Sequence, residues 1–172
     1  EIIKSYNRNF DLVPNFGVYF LDDLTLSPGV MLDRATLAAK ECKGNYIDTV
    51  GVFKPEMSMR LEKEQEIVNE MVQALQEEQF IVYLQPKYSL ETNAPAGAEA
   101  LVRWMHPEKG MISPGLFIPV FEKNGFIERL DHYVWEVICK YLRKWIDEGL
   151  KPNPISVNIS RVDLYNPGIV DF

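Results

Sequence analysis

One short apolar segment of the chain carries both an acidic and a basic side chain. Residues 97–104 read Gly-Ala-Glu-Ala-Leu-Val-Arg-Trp, which predicts a strand holding Glu99 and Arg103 among core residues. Burying an unpaired charge is costly, so such groups usually bind a metal, an anion or each other. Because side chains alternate along a strand, Glu99, Leu101 and Arg103 share one face. Either an ion pair between Glu99 and Arg103 or a binding site explains them.

Polar residues also close the predicted strands before and after this one. Gln85-Pro86 ends an apolar strand over residues 80–86, and the segment Val157-Asn-Ile-Ser160 closes the strand that follows. Three successive strands therefore end in polar residues. This coincidence favours a binding site over an isolated ion pair.

Together with Glu99-Ala100-Leu101, these segments resemble the opening of the EAL family of bacterial cyclic di-GMP phosphodiesterases. The resemblance covers residues 80–172 in the family's order and spacing. It continues through Arg103-Trp104, His106-Pro107, Gly110, Ser113-Pro114, Phe117-Ile118-Pro119 and Glu122. Several motifs in register are far more specific than the three letters EAL alone.

The resemblance implies an α/β fold that forms the N-terminal portion of a TIM-like (β/α)₈ EAL barrel. A complete barrel takes about 250 residues, so residues 80–172 hold only about three strand-and-helix units. The family's other metal-binding carboxylates, including an Asp-Asp pair, would follow Phe172. Asp22-Asp23 lies in the wrong part of the chain and is expected to form a turn.

The resemblance also implies the chemistry. Phosphodiester hydrolysis at neutral pH is slow, and two divalent cations, Mg²⁺ or Mn²⁺, accelerate it by activating water and neutralising phosphoryl charge. Hard cations prefer oxygen ligands, a role that the resemblance assigns to Glu99, the catalytic candidate, and to Asn158. It assigns Arg103 to a phosphate, Gln85 to ligand contact and Leu101 to apolar contact with the nucleoside. Two oxygen ligands are too few for a two-metal site, so we expect the isolated chain to be inactive.

Other polar residues receive simpler interpretations. His106 is expected to be a surface residue in a turn, and His132 a partly exposed helix residue. Asp163 is expected near a helix N-terminus, where the helix dipole stabilises a carboxylate. Glu122 is a candidate for supporting the metal ligands from a neighbouring helix.

Residues 1–57 predict strands at 16–21 and 46–53 around one helix. Ser27 is its expected N-cap, Pro28 lies in its first turn and Gly44 follows its last turn. Small side chains give this helix a narrow face suited to packing on a sheet. The segment resembles the closing part of a degenerate GGDEF domain, the diguanylate cyclase fold. The signature motif of that family is absent from this chain, so we expect no cyclase activity.

Residues 58–79 predict a polar connector helix between this remnant and the EAL part. An alternative is a signalling helix that transmits motion or dimerises, but Glu64 interrupts its apolar stripe. In the EAL part, helices are predicted at 114–124, between Ser113 as cap and Gly125 as stop, and at 130–147.

Composition limits the partners. With 25 acidic and 18 basic side chains the formal net charge is −7, which argues against a nucleic-acid polymer or an anionic membrane as the main partner. The longest apolar stretches are far shorter than a membrane span, and we expect a soluble, cytoplasmic segment, although a parent protein could carry a membrane anchor elsewhere.

Cys42 and Cys139 are interpreted as two buried, reduced thiols. A barrel cut after three units exposes a strand edge, so we expect self-association through that edge or through the connector helix.

Two function classes remain open. In the first, the parent protein is a phosphodiesterase that opens cyclic di-GMP to linear pGpG by a two-metal mechanism. In the second, the domain is a non-catalytic cyclic di-GMP receptor or a regulatory scaffold for a protein partner. The family residues visible here favour the enzyme, and the degenerate cyclase-like segment favours the receptor.

Overall fold

The computed structural model describes residues 13–45, 47–165 and 169. The chain divides between Lys63 and Glu64 into two compact units, each of which mixes helices and strands. Within the described ranges, no helix combines the length and apolar character that crossing a lipid bilayer requires.

The first unit contains a parallel strand-helix-strand crossover. Strand β1 (Phe16–Val18) pairs in parallel with β2 (Val50–Val52), and helix α1 (Pro28–Glu41) connects them. The expected helix boundaries are confirmed, because the Ser27 side chain accepts a hydrogen bond from the Val30 amide and Gly44 adopts a φ of 86°. Both strands are shorter than predicted, and Tyr46 lies outside the described residues.

Helix α1 packs directly on the backbone of the two strands. A Cβ atom on Gly17 would lie 1.7 Å from the Ala35 carbonyl oxygen, and one on Gly51 would lie 2.1 Å from that of Ala38. Ala38 is fully buried. The small-residue face therefore performs the packing that the sequence predicts for it.

Helix α2 (Pro55–Gln76) spans the boundary between the two units and begins three residues before the predicted connector. In the second unit, its Ile67 and Ala74 are buried in the main core. Val68, Met71 and Leu75 pack against the same core. This half of the helix is thus part of the second unit's packing.

The second unit is organised around one central strand. Strand β4 (Pro95–His106) pairs on one edge with β3 (Phe80–Tyr88), which is antiparallel. On its other edge it pairs with β5 (Gly110–Ile112), antiparallel, and with β6 (Ile155–Ser156), parallel.

This arrangement corrects the expectation of three successive strand-and-helix units. Strand β5 was not predicted, because three residues after a tight turn give too short a pattern. Strand β3 is antiparallel to β4, so β4 and β6 form the one parallel pair in the described part of this unit. Residues 157–160 follow β6 and lie outside the strand.

Three helices of the second unit come after β5 in the chain. Helix α3 (Pro114–Asn124) has the predicted bounds and ends at Gly125 with a φ of 81°, although the Ser113 side chain makes no capping hydrogen bond. Helix α4 (Ile127–Asp147) begins three residues earlier than expected, and α5 (Arg161–Leu164) is a single turn. Cys139 on α4 is exposed, so the expectation of two buried thiols holds only for Cys42, and both cysteines are free.

The main core of this unit is a cluster of aromatic rings on one face of β4. Trp104 is fully buried, and its ring centroid lies 5.2 Å from that of Phe80 and 5.7 Å from that of Phe117. Its indole N–H donates to the Gln79 side chain at 2.9 Å. Ala100 lies on the same face in a second cluster with Val134 and Ile138 of α4. The opposite face of β4 therefore carries Glu99, Leu101 and Arg103.

Candidate functional site

The pairing of β3 with β4 brings several predicted site residues to one face of the sheet. Glu99 lies opposite Gln85, Leu101 opposite Tyr83 and Arg103 opposite Ile81. Directly opposed residues of an antiparallel pair project to the same side. Glu99, Leu101 and Arg103 are half-buried, and Gln85 is exposed.

Asn158 reaches this face from the other edge of β4. Strand β6 places Ser156 opposite Glu99, and Asn158 follows two residues later. The Asn158 side-chain amide donates to Glu99 Oε1 at 3.4 Å. The two residues to which the family resemblance assigns a metal-ligand role therefore contact each other.

Lys87 is a further member of this face that the sequence interpretation missed. Its Nζ lies 4.0 Å from Glu99 Oε2 and donates to Ser156 Oγ at 2.6 Å. Both charged side chains remain partly exposed, Lys87 by 49% and Glu99 by 35%. The alternation of β3 could have identified Lys87, because it lies two residues after Gln85 on the same face.

Arg103 does not pair with Glu99. Its guanidinium donates to the Val102 carbonyl at 2.8 Å and lies 5.7 Å from the centroid of the Tyr83 ring. The partners of the Glu99 carboxylate in the described part of the chain are Lys87 and Asn158. The sequence left open an ion pair between Glu99 and Arg103. No such ion pair forms among the residues that the structure describes.

Helix α4 holds the backbone of the segment that presents Asn158. The Trp135 indole N–H donates to the Asn158 carbonyl at 3.0 Å, and the Ser160 amide donates to the Asp131 carboxylate at 3.0 Å. These two hydrogen bonds hold the backbone before and after Ile159. The position of Asn158 thus depends on side chains of α4 as well as on β6.

A buried polar cluster follows at the start of α5. Asp163 lies in the first turn, as predicted, but it is fully buried. Ser160 Oγ accepts from the Asp163 amide at 3.2 Å and donates to Asp163 Oδ2 at 2.6 Å. Burial, together with the neighbouring Asp163 carboxylate, raises the pKa of Asp131 to about 7. The Ser-x-x-Asp spacing of a helix N-terminus could have indicated the capping contact.

The two histidines are both structurally engaged. The expectation of a surface position is wrong for His106, whose side chain is 10% exposed. Its Nδ1 accepts from the Glu108 and Lys109 amides at 3.1 Å, so it fixes the turn between β4 and β5. His132 is partly exposed, as expected, and its Nε2 lies 3.5 Å from Asp163 Oδ1. Glu122 is exposed on α3.

The donor atoms of Glu99 and Asn158 are chemically suited to a hard divalent cation. Mg²⁺ typically keeps several waters and takes one or two protein oxygens together with substrate phosphates. A carboxylate and an amide in contact, on a half-exposed face, fit part of such a coordination sphere. The flexible Lys87 side chain would have to turn away from Glu99 when a cation binds.

Comparison with known proteins assigns the second unit. A model of the EAL domain matches residues 68–172. The bifunctional diguanylate cyclase/cyclic di-GMP phosphodiesterase MucR of Pseudomonas aeruginosa is 34% identical over 119 residues. That alignment covers 69% of this chain and 17% of MucR, so the chain spans a small part of this relative's length.

Solved structures agree with this assignment. The PaMucR phosphodiesterase in complex with c-di-GMP superposes with a TM-score of 0.57 at 36% identity, over 62% of this chain and 43% of that one. The S helix-GGDEF-EAL structure of Vibrio cholerae LapD, bound to c-di-GMP, has a TM-score of 0.54 over 90% of this chain and 36% of that one. At 16% identity, the LapD likeness shows the fold alone. The EAL domain model matches more than half of the residues of this chain, and the chain therefore belongs to the EAL domain family.

Proposed function

We propose that this chain supplies the first part of a cyclic di-GMP site, and that the complete EAL domain hydrolyses this dinucleotide to linear pGpG. The observation that carries the proposal is the contact between Glu99 and Asn158 at 3.4 Å, on the face that also holds Arg103. The name of MucR, a cyclic di-GMP phosphodiesterase, supports the same substrate.

Glu99 and Asn158 are the residues that would hold Mg²⁺ or Mn²⁺ in this proposal. Such an ion, when bound, supplies an activated water and neutralises charge on the phosphoryl oxygens. Glu99 contributes a carboxylate from β4, and Asn158 a side-chain amide after β6. Trp135 and Asp131 keep the Asn158 segment in place through hydrogen bonds to its backbone.

Arg103, Leu101 and Gln85 are the proposed substrate contacts. The planar guanidinium of Arg103 can donate two parallel hydrogen bonds to a phosphate. The Tyr83 ring centroid lies 5.7 Å from that guanidinium, which is close enough for a cation–π contact. Leu101 offers an apolar surface to the nucleoside, and the exposed Gln85 offers both a donor and an acceptor. Glu122 on α3 is proposed to support the metal ligands.

The remaining organisation is also proposed. Residues 1–57 form the closing part of a degenerate GGDEF-like domain, residues 58–79 the connector, and residues 80–172 the first part of the EAL barrel. The parallel crossover of β1, α1 and β2 supports an α/β origin for the first segment.

A non-catalytic cyclic di-GMP receptor is the second candidate function. The Lys87 ammonium lies 4.0 Å from Glu99 Oε2, where it balances the carboxylate charge without a metal. A domain that kept this ion pair would bind the dinucleotide through Arg103 and Leu101 and would not turn it over.

The test uses a complete EAL domain that includes this chain. We expect Mg²⁺-dependent production of pGpG, its loss in Glu99→Gln and Asn158→Ala, and retained binding of cyclic di-GMP by both variants. Lys140→Gln, which removes an exposed lysine of α4 that pairs with Glu136, is the matched control and should keep its turnover. Binding without turnover in the unsubstituted domain would establish the receptor instead. Unchanged turnover in Glu99→Gln would contradict the metal assignment.

A further inference from the structure

A second group of potential ligands lies where α4 meets α5. Glu128 and His132 are one helical turn apart on α4, so their side chains project from the same side of the helix. Asp163 approaches them from the first turn of α5. One ligand atom from each of the three residues lies within 4.8 Å of the others. None of the three belongs to the Glu99–Asn158 pair.

The Asp163 carboxylate points into this group with one oxygen that lacks a hydrogen bond. Its side chain is fully buried, and Oδ2 accepts from Ser160 Oγ at 2.6 Å. Oδ1 has no hydrogen-bond partner within the described ranges and faces His132 Nε2 at 3.5 Å. A buried carboxylate oxygen is costly unless a hydrogen-bond donor or a cation compensates it.

The spacing of the donors fits a small divalent ion. Nitrogen and oxygen ligands lie about 2.0–2.2 Å from Zn²⁺, so neighbouring ligands of a tetrahedral site are about 3.4 Å apart. The 3.5 Å between His132 Nε2 and Asp163 Oδ1 matches that value. Glu128 is half-buried, and its carboxylate completes a three-ligand set.

We propose that Glu128, His132 and Asp163 form a binding site for a first-row transition-metal dication of the Zn²⁺ type. One imidazole and two carboxylates favour Zn²⁺ over Mg²⁺, which prefers oxygen ligands alone. Three protein ligands leave the fourth position to water. A bound ion would join α4 to α5, directly after the segment that holds Asn158. Such an ion would bind whether or not the domain acts on cyclic di-GMP.

The experiment uses the whole 172-residue chain after treatment with a chelator. Zn²⁺ is titrated calorimetrically, and Co²⁺ is titrated while its visible absorption is recorded. We expect one ion per chain and a metal-dependent rise in melting temperature. His132→Gln and Glu128→Gln should each weaken binding at least about tenfold, a loss of about 1.4 kcal/mol. These positions are partly exposed, so the variants avoid the folding risk of replacing the buried Asp163.

Two controls separate this site from others. His106→Gln removes the other histidine of the chain, and Glu99→Gln removes the ligand proposed for the dinucleotide site. Both should bind Zn²⁺ as the unsubstituted chain does, even if the domain proves inactive on cyclic di-GMP. Equal Zn²⁺ affinity in the unsubstituted chain and in His132→Gln would overturn the proposal. The proposal would also be overturned if His132→Gln lowered the melting temperature equally with and without Zn²⁺, because His132 and Asp163 would then form only an ion pair.

Discussion

At the scale of single residues, the partners of Glu99 decide how this carboxylate contributes to stability. Its charged neighbour is Lys87, and both side chains are at least one-third exposed. Ion pairs at such positions contribute about 0–1 kcal/mol because water screens them. A buried pair with Arg103 would have behaved differently, since removal of one buried partner strands the other charge.

We therefore expect Glu99→Gln to change the free energy of unfolding of the chain by less than about 1 kcal/mol. Denaturant unfolding with a chelator present measures this directly. Lys87→Gln should have an effect of similar size, because it removes the other half of the same pair. A loss of about 3 kcal/mol or more would show that Glu99 is a buried structural anion after all.

The sequence predicts the direction of the candidate site residues where strand alternation alone decides it. Glu99, Leu101 and Arg103 share a face for this reason, and Gln85 joins them once β3 pairs with β4. The contacts of Lys87 with Ser156, and of Asp131 with Ser160, join residues far apart in the chain. Such contacts depend on the strand register and on helix placement, which no local pattern encodes.

At the scale of elements, two glycines determine how closely α1 approaches its strands. Gly17 and Gly51 are opposite each other in the parallel pair, and both lie beneath the backbone of α1. Any side chain there would meet helix carbonyl groups, which cannot move independently of the helix. These glycines are therefore required by packing rather than by an unusual backbone conformation.

Gly51→Ala should destabilise the first unit by about 1–3 kcal/mol, because the added methyl group overlaps the Ala38 carbonyl and forces α1 away. Gly29→Ala is the matched control, since the nearest atom to its new Cβ is 3.8 Å away, and it should be neutral or stabilising by up to about 1 kcal/mol. Hydrogen exchange of the α1 amides reports on this unit separately. Equal protection in the two variants would contradict the close packing.

The boundaries of elements are predictable where local residues fix them. Ser27 and Gly44 mark α1, and Gly125 ends α3, as capping preferences indicate. Strand β5 and the burial of His106 were missed, because both arise from a turn that His106 itself fixes by accepting two backbone N–H groups. Local patterns do not show which polar side chain a turn will enclose.

The core of the second unit should depend strongly on Trp104. This side chain is fully buried against Phe80, Phe117 and Phe121. Trp104→Ala should cost about 3–5 kcal/mol through lost burial and a residual cavity. Tyr141→Ala on α4, where the side chain is 49% exposed, should cost below about 1 kcal/mol. Denaturant unfolding monitored by circular dichroism tests both, and similar losses would contradict the proposed core.

At the scale of the whole molecule, β3 is the exposed edge of the second unit's sheet. It pairs with β4 on one side and has no partner on its other side within the described residues. Tyr83, Leu84 and Tyr88 of this strand are exposed large apolar side chains. Pro86 and Lys87 blunt one end of the edge, since proline lacks an N–H and lysine carries charge. Residues 81–85 lack such protection and remain able to pair with another chain.

We therefore expect the purified chain to self-associate through β3 as its concentration rises, as the sequence also predicts. Tyr83→Lys places a charge on the unprotected part of the edge and should lower the average mass measured by light scattering. Tyr141→Lys is the matched control, because Tyr141 is 49% exposed and Tyr83 is 48% exposed, but Tyr141 lies on α4. It should leave the average mass unchanged. If the unsubstituted chain stays monomeric at all concentrations, the expectation is wrong. If Tyr83→Lys and Tyr141→Lys change the average mass equally, the contact lies away from β3.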